Sequence, residues 1–475
     1  MNMKNRICRA GIALSAMLCL ACGEDRTYEF EEKTKETHWI YSVMDQWYLW
    51  YGSMPEITDY KQYFSDAEAF FKKLLYSGDK YSYLEKVEEE ADTRTINAYA
   101  SYGFDFNLYI DPVTQSQSST RRYARVLYVL PQSPAAVAGL KRGDWISAVG
   151  GEELTSKNYT ALINGEATTL TTSILNYDRP DSLYWEEQTD TLQLAAARKL
   201  EDNPFYVDTL YQTAGRRIAY LMYNRFSTGP EDSGNETQYR NEMRSIFGRF
   251  KQQQPTDFIL DLRYNPGGYL ICAQDLASLL APQEVLDEEV FYSLTFNDKM
   301  TEHNEKAPFE ASLTDGNNLN LSRLYIITTE LTASASESVI NGLTPVMGKE
   351  NIILVGTRTE GKNVASLTFN SDFGITLHPI VATVYNGRGE SDYSEGFEPA
   401  YKIDENQYAD PWKPLGDTDE LLLHATLSII LGDDAQAAAT RHSTAPLLPA
   451  PVYSTVGAKG LKGARLTETI HVVAE

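Results

Sequence analysis

Phe258-Ile259-Leu260-Asp261-Leu262 runs directly into Arg263-Tyr264-Asn265-Pro266-Gly267-Gly268. The first five residues form a short apolar run interrupted only by Asp261, as in a strand buried on both faces. Asn-Pro-Gly-Gly then stops the strand, and a glycine pair lets the backbone approach a ligand closely. Outward from this stretch the same pattern recurs. Ile218–Tyr223, Leu324–Thr328 and Ile352–Gly356 are further apolar runs, and the spacing predicts helices over 238–250 and from Ser334 to Leu343 between them. Strands alternating with helices give an α/β core, in which ligands collect at the carboxyl ends of strands. Thr418–Leu431 reads as a closing helix stopped by Gly432, and the last forty residues, rich in Ala, Pro and Thr, as loosely structured.

Upstream the pattern changes twice. Trp39, Ile40, Val43, Met44, Trp47, Trp50 and Tyr51 recur at helical spacing, and Ser65 with Glu68 forms a capping box for a second helix ending near Gly78. The acidic run Glu88-Glu89-Glu90 reads as a solvated connector. Phe104, Phe106, Leu108 and Ile110 then alternate as in a half-buried strand, and a second strand follows at Arg125–Leu130. Pro131 to Gly151, with Ser133-Pro134 entering a helix, Gly139 ending it and Gly143-Asp144 turning the chain, closely resembles the central segment of a PDZ domain. Such domains add an extended peptide to a sheet edge and hold its carboxylate on backbone N–H groups. Tyr102-Gly103-Phe104 stands where that loop is expected.

Length and charge bound the rest. The 475 residues carry 42 Lys+Arg and 66 Asp+Glu, a net charge of −24. That charge repels a phosphate backbone, so nucleic acid is not an expected partner. Lys4, Arg6 and Arg9 precede a short apolar stretch, Ala10–Leu20, too short to span a bilayer, and Ala21-Cys22 follows. This reads as an export signal over 1–21 and resembles that of a bacterial lipoprotein, with Cys22 lipidated and 22–34 a tether. The expected location is the bacterial cell envelope, lipid-anchored, at the outer membrane. Removing the signal leaves Cys272 as the one thiol besides Cys22, so no disulfide framework and no zinc site is expected.

Asp261 to Gly268, Thr332-Ala333-Ser334-Ala335-Ser336-Glu337 and Gly361-Lys362 stand in the order found in carboxyl-terminal processing (tail-specific) peptidases, and with the PDZ segment and Glu390–Pro399 the resemblance covers most of 98–432. It implies a multidomain α+β protein: a helical unit over 35–95, a PDZ-like domain over 98–200, and a ClpP/crotonase-like serine-peptidase core over 201–435 ahead of the 436–475 tail. It further implies Ser334 as nucleophile and Lys362 as base, with Ala335 and Gly267 or Gly268 as the oxyanion hole. Asp261, Arg263 and Glu337 have supporting roles. No cofactor or metal is implied, and the substrates are proteins or peptides engaged through extended or C-terminal tails. For Lys362 to serve near neutrality its pKa must fall from about 10.4 to near 7, a cost of about 4 kcal/mol that burial can supply. Asn363 and Ser366 replace the family's glycine and glutamine. Ser366 is one candidate partner for the lysine, and its presence motivates an alternative, a degenerate peptide-binding envelope lipoprotein. A non-proteolytic acyl hydrolase is the third reading. No GxSxG, HExxH or Walker motif is present.

Overall fold

The computed structural model describes residues 27–58, 60, 63, 66–86, 100–178, 182–433, 446–460 and 465–471. The export signal, Cys22, Ser65 and the acidic run Glu88–Glu90 lie outside the described residues.

Two helices, α1 (Thr27–Trp47) and α2 (Ala67–Leu74), open the chain. The cap of α2 is Asp66, whose carboxylate accepts the Ala69 N–H at 2.8 Å. The aromatic stripe of α1 is core: Trp39, Val43 and Trp47 pack in one cluster with Phe70, Phe71, Phe369 and Leu377. Strand β1 (Tyr83–Lys86) extends a sheet whose other members come from beyond residue 289. The helical unit therefore shares its hydrophobic core with the main body of the chain.

The sheet of the segment expected to be PDZ-like comprises β2 (Phe104–Ile110), β3 (Arg122–Val129), β4 (Trp145–Val149), β5 (Thr168–Tyr177) and β6 (Leu183–Leu194), in that spatial order. Between β3 and β4 lies α3 (Pro134–Ala138), capped by Ser133 and ended by Gly139 in the left-handed region. The expectation for β2 needs correcting, because all seven of its residues are buried. Its polar face is covered by residues 404–412: Asn107 Nδ2 and Tyr109 Oη donate to Asn406 Oδ1 at 3.1 and 3.0 Å, and Arg125 on β3 donates to the carbonyls of Tyr408 and Asp410.

The core sheet begins with the antiparallel pair β7 (Phe205–Thr213) and β8 (Arg216–Tyr223). After α4 (Gln238–Gln253) it continues parallel to β8 with β9 (Asp257–Asp261). Next in the chain come α5 (Leu270–Leu280), the hairpin β10 (Val290–Phe296) and β11 (Glu305–Pro308), and then β12 (Leu324–Thr328), which lies beside β9. Helix α6 (Ala335–Met347) leads to β13 (Ile352–Gly356), parallel to β12. A second sheet holds β14 (Val364–Asn370), β15 (Ile375–His378) and β16 (Ile380–Asn386) with β1, β10 and β11. Helix α7 (Leu421–Leu431) ends at Gly432, as expected.

The expectation for the tail is also corrected. Residues 453–454 form a strand, α8 spans Thr455–Gly460, and the second sheet gains β17 (Arg465–His471) beside β14. Tyr453 and Val456 supply the apolar anchors that composition alone did not single out.

Candidate active site

The carboxyl end of β9 and the turn after β12 lie against each other, as two adjacent parallel strands require. Hydrogen bonds lock the two loops. Thr332 Oγ1 donates to the Leu262 carbonyl at 2.7 Å, and the carbonyl of Asn265 accepts from Ala333 N at 3.1 Å and Ser336 Oγ at 3.0 Å. Asn265 Oδ1 accepts the Gly267 N–H at 2.9 Å, the Asx turn that Asn-Pro-Gly permits. A Cβ on Gly267 would lie 2.8 Å from Ser334 Cβ and 2.9 Å from the Ala333 carbonyl, so only glycine fits between the loops.

Ser334 is buried and sits immediately ahead of α6 with φ 63° and ψ −113°, a region that residues with a side chain seldom occupy. Its Oγ has no hydrogen-bond partner among the described residues. The N–H groups of Ala335 and Gly268 are likewise unengaged among the described residues, whereas that of Gly267 is held by Asn265. Of the two glycines named from sequence, Gly268 thus retains the available donor. Ala335 opens a helix of thirteen residues, where the dipole favours negative charge.

Lys362 is buried at the start of the segment leading into β14. Glu337, in the first turn of α6, joins it to the serine. Its Oε2 accepts the backbone N–H of Ser334 and that of Lys362, each at 2.8 Å, so the two nitrogens lie within twice that distance of each other. Its Oε1 accepts Thr359 Oγ1 at 2.6 Å and Gly361 N at 2.7 Å. Gly361 is needed for close approach, since a Cβ there would meet the Ser394 carbonyl at 2.4 Å, within the region 390–399 already read as part of the motif set.

Burial raises the Glu337 carboxyl to about 7 against the lowering effect of these four donors. The raised value means that the folded chain binds this proton more tightly than the unfolded one. Its contribution to stability is therefore largest below about 4.5 and declines as pH rises through about 7. Only the ionised form offers both oxygens to all four donors. We expect Glu337→Gln, which sets an amide NH2 against two of them, to lower activity about a hundredfold and to change the acidic limb of the rate profile, which Lys362 alone then sets. A pH–rate profile identical in shape for the two proteins would contradict this role.

Asp261 and Arg263 pair within a buried cluster of charges. Arg263 NH2 reaches Asp261 Oδ2 at 2.7 Å, and its NH1 reaches Glu420 Oε1 at 2.7 Å and Glu405 Oε2 at 3.0 Å. Arg142, from the turn after α3, joins the same carboxylates, with NH2 at 2.8 Å from Glu405 Oε2. Ser366 is buried on β14.

Tyr102, Gly103 and Phe104 are buried at the start of β2, where the Gly103 N–H donates to Ser101 Oγ at 2.9 Å.

Three contributors were not singled out from sequence. Thr359 and Asn265 act through the hydrogen bonds above. Tyr81 comes from the N-terminal unit, and Lys362 Nζ lies 4.9 Å from its ring centroid. Asp79 Oδ1 fixes that loop by accepting the N–H groups of Tyr81 and Ser82 at 2.9 and 3.0 Å. The Asp79-Lys80-Tyr81-Ser82 turn was a signal available in the sequence, but nothing local tied it to a residue 281 positions away.

The model of peptidase family S41 matches 217–403, that of the S41 N-terminal domain 35–83, and a PDZ domain model 125–172. A solved structure from Bacteroides fragilis assigned to the S41 proteases is 36% identical, with TM-score 0.71, over 83% of this chain and 97% of that one. The chain belongs to peptidase family S41. This S41 chain is accordingly a serine peptidase, built of an N-terminal helical region, a PDZ domain and a peptidase core. Among curated relatives, the carboxyl-terminal-processing protease of Picosynechococcus sp. is 23% identical over 374 residues, 78% of this chain and 80% of the relative. The carboxy-terminal processing protease CtpA of Bacillus subtilis is 24% identical over 281 residues, 58% of this chain and 52% of the relative.

Proposed function

We propose that this S41 peptidase cleaves extended protein or peptide segments through an acyl-enzyme on Ser334, with Lys362 as general base and the N–H groups of Ala335 and Gly268 as the oxyanion hole. The observation that carries the reading is the joint anchoring of the Ser334 and Lys362 backbones on Glu337 Oε2. Neutral Lys362 takes the hydroxyl proton as Oγ attacks the scissile carbonyl, and the developing oxyanion meets two donors already in place. The proton then passes to the leaving amine, and water later releases the acyl group. The PDZ sheet edge supplies substrate recognition by strand addition.

A serine-directed fluorophosphonate tests the reading. We expect one label per chain, located at Ser334 by peptide mapping and absent from Ser334→Ala. Labelling of a different residue, or equal labelling of the variant, would refute the assignment.

A further inference from the structure

The outer edge of β2, which a PDZ ligand would extend, is occupied by the chain's own residues. Tyr453 and Ser454 pair antiparallel with it, opposite Leu108 and Asn107. The Val452 N–H donates to the Leu108 carbonyl at 2.7 Å. Thr455 Oγ1 accepts the Phe106 N–H at 2.9 Å and donates to the Phe106 carbonyl at 3.3 Å. The Tyr453 ring lies 5.0 Å from that of Tyr159 and 6.4 Å from that of Phe106, so it rests between the strand and the 3-10 turn Tyr159–Leu162 that walls the groove.

Polarity strengthens the comparison with a bound peptide. Residue numbers rise toward Phe106, so the segment points at the Tyr102–Phe104 loop, the direction a tail must take to bring its carboxylate there. It turns away first. Helix α8 begins at Thr455, Val456 joins the hydrophobic cluster that contains Leu331 and Leu422, and a Cβ on Gly457 would touch Leu331. Leu331 belongs to the turn that delivers Ser334.

We propose that Val452–Thr455 is an intramolecular ligand of the PDZ groove, and that peptide substrates bind by displacing it. The inference rests on the reading of the chain as a peptidase that takes peptides at this edge. The ladder is short, and prolines 446, 449 and 451 on its N-terminal side offer no N–H with which to lengthen it. Tethering supplies the occupancy that so few contacts would not, because a linked segment acts at high effective concentration. The apparent affinity for an incoming peptide is then reduced by the fraction of chains whose groove is open. The occupant also indicates what the groove accepts: an extended peptide with an aromatic residue between Phe106 and Tyr159, a β-branched residue before it, and small hydroxyl residues after it.

The test uses the full chain carrying Ser334→Ala, so that nothing is cleaved, and a fluorescein-labelled synthetic peptide with the sequence of residues 447–455, followed by anisotropy. Tyr453→Ala removes the aromatic anchor. Val452→Pro removes one backbone donor at a residue whose side chain is exposed, which limits its effect on folding. We expect each to tighten binding of the peptide roughly three- to tenfold. Unchanged or weaker binding in both would overturn the proposal. Fluorophosphonate labelling of the same variants with Ser334 restored separates the two readings. Normal labelling without tighter binding refutes the intramolecular ligand alone, and tighter binding without labelling refutes the peptidase assignment alone.

Discussion

Lys362→Ala is expected to fold as well as the wild type and to lose about four orders of magnitude in kcat, as removal of a member of a nucleophile–base pair does elsewhere. Neither Glu337 nor His303 is placed to take over: Glu337 is committed through both oxygens to four donors, and His303 packs against Trp47 and Phe296. Folding is spared because the backbone N–H of residue 362, the atom that holds the loop to Glu337, survives the substitution. Removing a buried amine also removes a desolvation cost. Lys362→Arg should fail to restore turnover, since a guanidinium does not give up its proton. Burst kinetics on an unstructured protein substrate would decide the matter, and a variant within tenfold of wild type would remove lysine from the mechanism.

Arg263→Met is expected to cost about 3–5 kcal/mol of stability, the range found when one partner of a buried ionic cluster is deleted. Arg263 is fully buried and faces three carboxylates, those of Asp261, Glu405 and Glu420. Methionine fills similar space and leaves those charges short of a counter-ion, with Arg142 as the remaining cation among them. Burial alone would raise the Glu405 carboxyl, but Arg142 and Arg263 hold it down at about 2. A depressed value contributes stability that is present above about 4.5 and lost as pH falls through about 2. The gap between variant and wild type should therefore be wide at pH 7 and narrow in acid, as thermal melts at several pH values would reveal. A constant gap would mean that lost packing, and not unpaired charge, sets the cost.

The core strands were legible because burial on both faces leaves an apolar run with no alternation, and β8, β9, β12 and β13 all appear where such runs stand. The α3 segment was legible for a different reason, since Ser-Pro at its start and Gly139 at its end are local signals for local geometry. Contacts between distant segments were not readable. The strand Phe104–Ile110 alternates as if one face met water, and nothing in it discloses that Asn406 covers its polar side. Glu337 could be placed in a first helical turn, yet its bonds to Thr359, Gly361 and Lys362 depend on how two strands are stacked. The tail was misread for a related cause: low complexity describes composition, whereas Tyr453 and Val456 act one side chain at a time.

The aromatic ring over Lys362 belongs to a loop made early in synthesis, and β1, just after it, pairs with β15, made nearly three hundred residues later. Translation therefore delivers the serine before the lysine, and the lysine before the strand that fastens its cover. Until residues 375–378 pair with β1 the Tyr81 loop lacks that anchor, so the cover over Lys362 depends on joining an early segment of the chain to a late one.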